Sequence, residues 1–151
     1  MRTFQYILFL LLFSLGITGC TKQPIDNDIE GFWQLESFIT NSDGQTHPCK
    51  RMYYSITRQV AEIATKPLLH DTSLRSEAFV CRFFYTDNHN KIIMKDFKWR
   101  GATGDNGKDV DFETLQRYGI NANPSTFTVQ RADGKNLILT SDYATLILKR
   151  F

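Results

Sequence analysis

The sequence predicts a small all-β protein: an antiparallel up-and-down β-barrel with one short helix before its last three strands. Apolar and polar residues alternate over several short stretches, which is the pattern of half-buried strands. Clusters of Asn, Asp, Gly and Ser separate these stretches and supply turns. The last third of the chain is a meander, and an open meander would leave apolar strand edges exposed. We therefore expect the first strand to pair with the last.

The first half of the chain predicts one wall of this barrel. Residues 31–39 alternate, with Trp33 and Leu35 on one side and Phe38 on the other. Residues 52–65 contain many β-branched and aromatic side chains, which predicts one long strand or two short ones.

Residues 78–86 give the strongest strand signal in the chain, because large apolar side chains occupy alternate positions. A turn at 87–90 reverses the chain, and residues 91–99 return as a strand. The positions that share a side are Phe79, Cys81 and Phe83 on the first strand and Ile93, Phe97 and Trp99 on the second.

One helix and three strands are predicted after residue 100. Residues 101–108 are rich in glycine and predict a loop. Asp111 can cap a helix that ends before Gly119. Phe112, Leu115 and Tyr118 would share its buried face. The strands that follow are predicted at 126–131, 137–140 and 143–151.

Charge and motifs argue against several functions. The chain has 18 Lys and Arg against 16 Asp and Glu, so it lacks the basic excess typical of nucleic-acid-binding proteins. It contains no His-Glu-x-x-His, Cys-x-x-Cys, phosphate loop or nucleophile elbow. Its histidines fall in separate predicted loops, and the acidic residues between 105 and 113 lack EF-hand spacing. We expect no enzymatic activity, no metal, no cofactor and no nucleic-acid partner.

The N-terminus predicts a lipoprotein signal peptide. Arg2 precedes an apolar run at 4–15, and the sequence Ile-Thr-Gly-Cys ends at Cys20. This is the three-part pattern of a signal peptide with a lipobox, which predicts cleavage before Cys20 and its modification with lipid, palmitate included. A membrane-spanning helix needs about 20 apolar residues, more than this run supplies.

The predicted organisation is a signal peptide at 1–19, a flexible polar tether at 20–28 and one barrel domain at 29–151. The lipid would make a membrane the first partner of the protein. We expect a location in the cell envelope, at the outer membrane, and the sequence leaves open which membrane face the domain occupies.

Cys49 and Cys81 are the two cysteines besides Cys20. An exported protein meets oxidising conditions, so a disulfide between them is one hypothesis. Two unpaired thiols, one buried on a strand, are the alternative, because two cysteines allow a bridge without requiring one.

The first predicted strand opens with Gly31-Phe32-Trp33. Further along are Tyr-Tyr-Ser-Ile at 53–56, Leu-Gln-Arg-Tyr-Gly-Ile-Asn at 115–121 and Ser-Asp-Tyr-Ala-Thr-Leu at 141–146. The Gly-x-Trp resembles the lipocalin signature, and the whole set resembles the lipocalin-like lipoproteins common in Bacteroidetes. The resemblance covers nearly all of the predicted domain.

The resemblance implies a lipocalin-like barrel closed by Trp33 and Arg150. Lipocalins place an arginine near the last strand, packed over that tryptophan, and Arg150 matches in position. By alternation it lies on the side of Leu148, opposite Lys149. A solvated terminal arginine is the alternative. The chain departs from lipocalins in length and in its helix, which precedes the last three strands.

Two functions follow from this fold. The first is binding of a small apolar or amphipathic ligand, with Trp33, Phe83 and Phe97 as candidate lining residues. The second is a non-catalytic structural or protein-interaction module tethered at the envelope, with a filled barrel core. A cavity of about 300 Å³ or more would favour ligand binding.

Overall fold

The computed structural model describes residues 25–151. The predicted signal peptide and Cys20 lie outside the described residues. The elements are β1 (Gly31–Thr40), β2 (Thr46–Thr57), β3 (Val60–Thr65), β4 (Glu77–Thr86), β5 (Lys91–Gly101), β6 (Gly104–Asp109), α1 (Phe112–Gln116), β7 (Ser125–Ala132), β8 (Asn136–Thr140) and β9 (Ala144–Arg150). Among residues 25–151, no helix is long and apolar enough to cross a membrane.

Eight of these strands form a closed antiparallel barrel, which confirms the predicted fold class. The order around the barrel is β1, β2, β3, β4, β5, β7, β8 and β9, and β9 pairs again with β1. The closing register runs from Trp33 opposite Arg150 to Thr40 opposite Ala144. Pairing the first strand with the last removes both exposed edges.

The barrel has two ends that differ in what covers them. At one end β1 begins, β9 ends, and β2 turns into β3; we call it the Arg150 end. At the other end α1 and the turn after it lie over the barrel; we call it the helix end. One apolar cluster fills the space between the two ends, with side chains from all eight barrel strands and from the segment that begins at α1.

Two β-bulges decide which side chains enter this cluster. The register between β1 and β9 shifts between Leu35 and Ser37. The extra residue reverses the alternation, so Phe38 is buried in the core, on the side opposite to the sequence prediction. A second shift, in β5, places Met94 and then Phe97 inside, so the prediction that Ile93 faces inward with Phe97 is also wrong.

Two segments differ from their predicted structure. β2 begins at Thr46, so its strand extends beyond the predicted start at residue 52. Residues 104–109 form β6, which pairs with β5 outside the closed barrel, although 101–108 were predicted as a loop. All of its side chains are exposed, so it carries no apolar alternation that would indicate a strand.

The helix begins where the sequence predicts. The Asp111 carboxylate accepts a hydrogen bond from the backbone N–H of Thr114 at 2.8 Å, which caps the first turn. Gly119 follows the helix with φ of +77°. Leu115 is buried as predicted, but Phe112 is 54% exposed and does not share the buried face.

Candidate functional site

The three candidate ligand-lining residues lie inside the barrel but line no open space. Trp33, Phe83 and Phe97 have 0% of their surface exposed. A side chain beside a void wide enough for even one water would keep some accessible surface. These rings therefore pack against other side chains, as Phe97 does with Phe79 at 6.3 Å between ring centres in a T-shaped geometry.

Arg150 covers the barrel core at the Arg150 end. Its guanidinium carbon lies 4.4 Å from the centre of the Trp33 ring, which is a cation–π contact. The same guanidinium donates hydrogen bonds to three backbone carbonyls: those of Gly134, Asn27 and Glu30. Arg150 thus links the last strand to the segment before β1 and to the β7–β8 turn.

The neighbouring residue Lys149 points to the opposite side of β9, so it does not reach Trp33. Its ammonium pairs with the Glu36 carboxylate at 2.9 Å, and both side chains are largely in solvent. Such an exposed pair stabilises a protein by no more than about 1 kcal/mol. The structure therefore brings Trp33 and Arg150 together and leaves Lys149 outside.

Gly31 makes room for the arginine. A Cβ atom at this position would overlap Nη1 of Arg150. The backbone of Gly31 also has φ of +147°, a conformation that L residues rarely adopt. The glycine of the Gly-x-Trp sequence thus leaves room for the Arg150 guanidinium and suits the backbone conformation at this position.

The segment before β1 completes the Arg150 end. The Trp33 indole N–H donates to the carbonyl of Ile29 at 2.7 Å, so the ring is held from both sides. Glu30 is 4% exposed, and its carboxylate accepts from the Tyr85 hydroxyl at 3.2 Å and from the N–H of Ile25 at 3.0 Å. Burial, with the Glu30 charge, raises the pKa of Tyr85 far above its usual range.

At the helix end, the residues from Leu115 to Ile120 close the barrel. Leu115, Tyr118 and Ile120 are at most 1% exposed and belong to the core. Gly119 lies so close to Leu146 and Phe38 that a Cβ atom there would overlap the Leu146 side chain. The opening through which a ligand would enter at this end is therefore occupied by the chain itself.

Two buried hydrogen bonds hold this segment in place. The Tyr54 hydroxyl donates to the backbone carbonyl of Tyr118 at 2.7 Å. The Tyr118 hydroxyl lies 2.7 Å from the hydroxyl oxygen of Thr65, also buried. Burial raises the pKa of both tyrosines above 10.0, that of Tyr54 by more. Both hydroxyls therefore keep their protons at neutral pH and can act as donors.

Comparison with known proteins gives the family. The sequence matches the family model of a lipocalin-like domain over residues 12–151. The chain belongs to this lipocalin-like family. Proteins of this family are generally non-catalytic binding proteins.

Two solved structures share the lipocalin-like fold of this chain. The first is a lipocalin-like protein from Bacteroides uniformis: it is 16% identical, has a TM-score of 0.59, and the match covers 82% of this chain and 99% of that one. The second is an uncharacterised protein from Bacteroides eggerthii: it is 14% identical, has a TM-score of 0.54, and the match covers 81% and 98%. No curated protein matches the sequence.

Cys49 and Cys81 of this lipocalin-like barrel are free thiols, and the hypothesised bridge between them is absent from the structure. They lie on β2 and β4, and β3 runs between these strands. Two strand spacings make about 9.5 Å, beyond the Cα distance that a disulfide spans. Burial raises the pKa of Cys49 to about 11 and that of Cys81 to about 12, so both thiols stay protonated.

Open spaces on the lipocalin-like domain lie on its outer wall and at the Arg150 end, where a recess of about 440 Å³ has Gly31, Ile56 and Arg150 in its lining. One groove of about 680 Å³ runs beside β7 and the β8–β9 turn, with Lys91, Thr128, Thr140 and Tyr143 among its lining. Another, of about 570 Å³, lies beside α1 and contains Arg100 and Arg117, whose guanidinium groups pair with Glu62 and Glu77. Within residues 25–151, no cluster of three or more His, Cys, Asp or Glu side chains could hold a metal ion.

Proposed function

We propose that this protein is a non-catalytic interaction module that lipid on Cys20 holds at the outer membrane of the cell envelope, and that it acts through its outer surface. The observation that carries the proposal is the filled barrel. Trp33, Phe83 and Phe97, the residues best placed to line a ligand cavity, have no exposed surface.

The hydrogen bonding of polar groups in the core also argues against a ligand site inside the barrel. A binding site uses a few polar groups to orient its ligand. Within the described part of the chain, every buried side-chain nitrogen or oxygen already has a hydrogen-bond partner in the protein. At the helix end, the Tyr54 hydroxyl bonds to the backbone carbonyl of Tyr118, and the Tyr118 hydroxyl bonds to that of Thr65. A ligand would find no unsatisfied partner among them.

The lipid anchor is supported by the sequence at 1–20. A positive residue, an apolar run and Ile-Thr-Gly-Cys occur there in the order that export and lipidation require. We expect Cys20→Ala to abolish incorporation of labelled palmitate and to release the protein from the membrane fraction. Incorporation of label by the Cys20→Ala variant would overturn the anchor.

Binding of a small apolar ligand inside the barrel is the function to test against this proposal. We expect the protein purified from its own membranes to show only its own lipidated mass by native mass spectrometry. A fluorescent fatty acid should show no saturable binding. A co-purified molecule at one per chain, or saturable fatty-acid binding, would overturn the filled-barrel proposal.

Phe97→Ala is the matched control for the binding assay. Removal of the ring leaves an apolar void, and voids of this kind bind small aromatic molecules. The variant should bind benzene, seen as a rise in melting temperature that the wild type does not show. Since the substitution costs about 3–5 kcal/mol, its folding is first checked by circular dichroism.

A further inference from the structure

We propose that the Arg150 end of the barrel rests on the lipid surface, with Ile25, Val60 and Phe151 at the boundary between headgroups and acyl chains. This inference rests on the lipid anchor of the proposed function and adds the face that the anchor presents to the membrane. The three residues are called the apolar rim below.

The length of the tether sets how far the domain can stand from the bilayer. Ile25 is the first described residue, and four residues lie between it and Cys20, so five Cα–Cα steps join the two. Even fully extended, a segment of this length spans at most about 18 Å. The Arg150 end therefore stays within this distance of the lipid that Cys20 carries.

The three rim residues come from different parts of the chain but lie at the same barrel end. Ile25 is held there because its N–H donates to Glu30, directly before β1. Val60 is the first residue of β3, just after the turn from β2. Phe151 follows β9, and its N–H donates to the carbonyl of Phe32 at 3.0 Å. Antiparallel pairing brings the start of β1, the start of β3 and the end of β9 together.

The rim is apolar and largely uncovered. Ile25, Val60 and Phe151 are 51%, 50% and 72% exposed. Phe151 also makes T-shaped contacts with Phe32 and Tyr53, at 5.5 and 5.2 Å between ring centres, which extend the apolar surface along the outer wall. Of these three rings, the tyrosine is of the type that is enriched where proteins meet the membrane interface.

A lysine borders the same aromatic surface. The Lys66 ammonium lies 5.0 Å from the centre of the Phe32 ring, and the Phe32 ring stacks on Tyr53. Lys66 directly follows β3, so its side chain reaches this surface from the helix-end side and places a positive charge beside it. The apolar rim and its border thus fit a lipid surface, which the tether keeps permanently close.

The helix end provides the matched control. Leu69, in the loop between β3 and β4, is 94% exposed, so it is as available to a membrane as any rim residue. It lies at the opposite end of the barrel, which is roughly 20–25 Å long. If the tether decides the orientation, Leu69 stays in water.

The experiment places the same fluorescent ring at both ends. Val60→Trp and Leu69→Trp are made separately in the lipidated full-length protein, which also retains the native Trp33 and Trp99. Each variant is reconstituted into vesicles of phosphatidylethanolamine and phosphatidylcholine, with or without bromine on the upper acyl chain. Bromine quenches only rings that reach the acyl region. We expect quenching of the Val60→Trp signal, corrected for wild type, to be at least about threefold that of Leu69→Trp, since interfacial contacts bury a ring by some 5–10 Å.

Flotation of the vesicles separates this inference from the anchor. If both variants float and the Val60→Trp ring is quenched more, the orientation holds. If both float but quenching is equal, or greater for Leu69→Trp, the orientation is wrong while the anchor stands. If neither floats and Cys20 carries no lipid, the anchor is wrong and the orientation falls with it.

Discussion

The two ends of the barrel are both closed, but by opposite means. At the Arg150 end a charged guanidinium lies on Trp33 and bonds to three backbone carbonyls, two from the segment before β1 and one from the β7–β8 turn. At the helix end a single continuous segment, from Leu115 to Ile120, inserts apolar side chains and is fixed by two tyrosines.

The comparison shows that the residues at the Arg150 end secure the closure of the sheet, whereas those at the helix end fill its interior. Arg150 and Trp33 belong to β9 and β1, so their contact secures the strand pairing that closes the sheet. The segment at the helix end closes no sheet, because all eight barrel strands pair without it. We therefore expect substitutions at the Arg150 end to destabilise the whole domain and those at the helix end to act more locally.

The largest expected effect is that of Trp33→Ala. Loss of this fully buried ring should lower the free energy of unfolding by about 3–5 kcal/mol, measured by urea denaturation. Trp99→Ala is the control, because Trp99 is only half-buried and lies near the helix end. It should cost less than half as much. Equal costs would show that the Arg150 end has no special role.

The next effect is that of Gly31→Ala. The new Cβ would displace the Arg150 guanidinium, and the backbone conformation is strained for alanine, so we expect a loss of about 1–3 kcal/mol. Gly44→Ala is the matched control: Gly44 also has a positive φ, of +67°, but no atom lies near its Cβ position. Its cost should stay near about 1 kcal/mol. The difference between the two variants measures what room for the arginine is worth.

The smallest expected effect is that of Tyr54→Phe, at the helix end, on stability and on its dependence on alkaline pH. Burial raises the pKa of Tyr54 well above 10.0. Above pH 10 the unfolded chain releases a proton that the folded chain retains, so stability should fall as the pH rises. Tyr54→Phe should cost about 0.5–1.5 kcal/mol at pH 7, through its lost bond to Tyr118. Its denaturation midpoint should then decline less steeply than that of wild type between pH 10 and 11.5. An unchanged slope would contradict the role of Tyr54.

The sequence predicted those features that depend on side-chain alternation and edge pairing. It predicted the closed barrel and the sides of Arg150 and Lys149, because one face of each strand is apolar. It predicted the start of the helix from its capping residue, Asp111. It failed at Phe38 and Ile93, since a single bulged residue reverses the alternation and leaves no apolar signal of its own. It failed at β6, whose side chains are all exposed.

The candidate site was predicted less completely than the fold. Alternation placed Trp33, Phe83 and Phe97 inside the barrel but could not decide between lining and filling. That choice depends on the summed volume of side chains from all eight strands and on the position of Tyr118. The need for a small residue at position 31 could not be predicted either, because it depends on the contact with Arg150, which is distant in sequence.

The pairing of β1 with β9 has a consequence for the timing of assembly. The N–H of Phe151, directly after β9, bonds to the carbonyl of Phe32 in β1, so segments far apart in sequence meet here. No partial chain can form this contact, and contacts so distant in sequence are slow to form. The barrel can therefore close only once β9 is available to pair with β1.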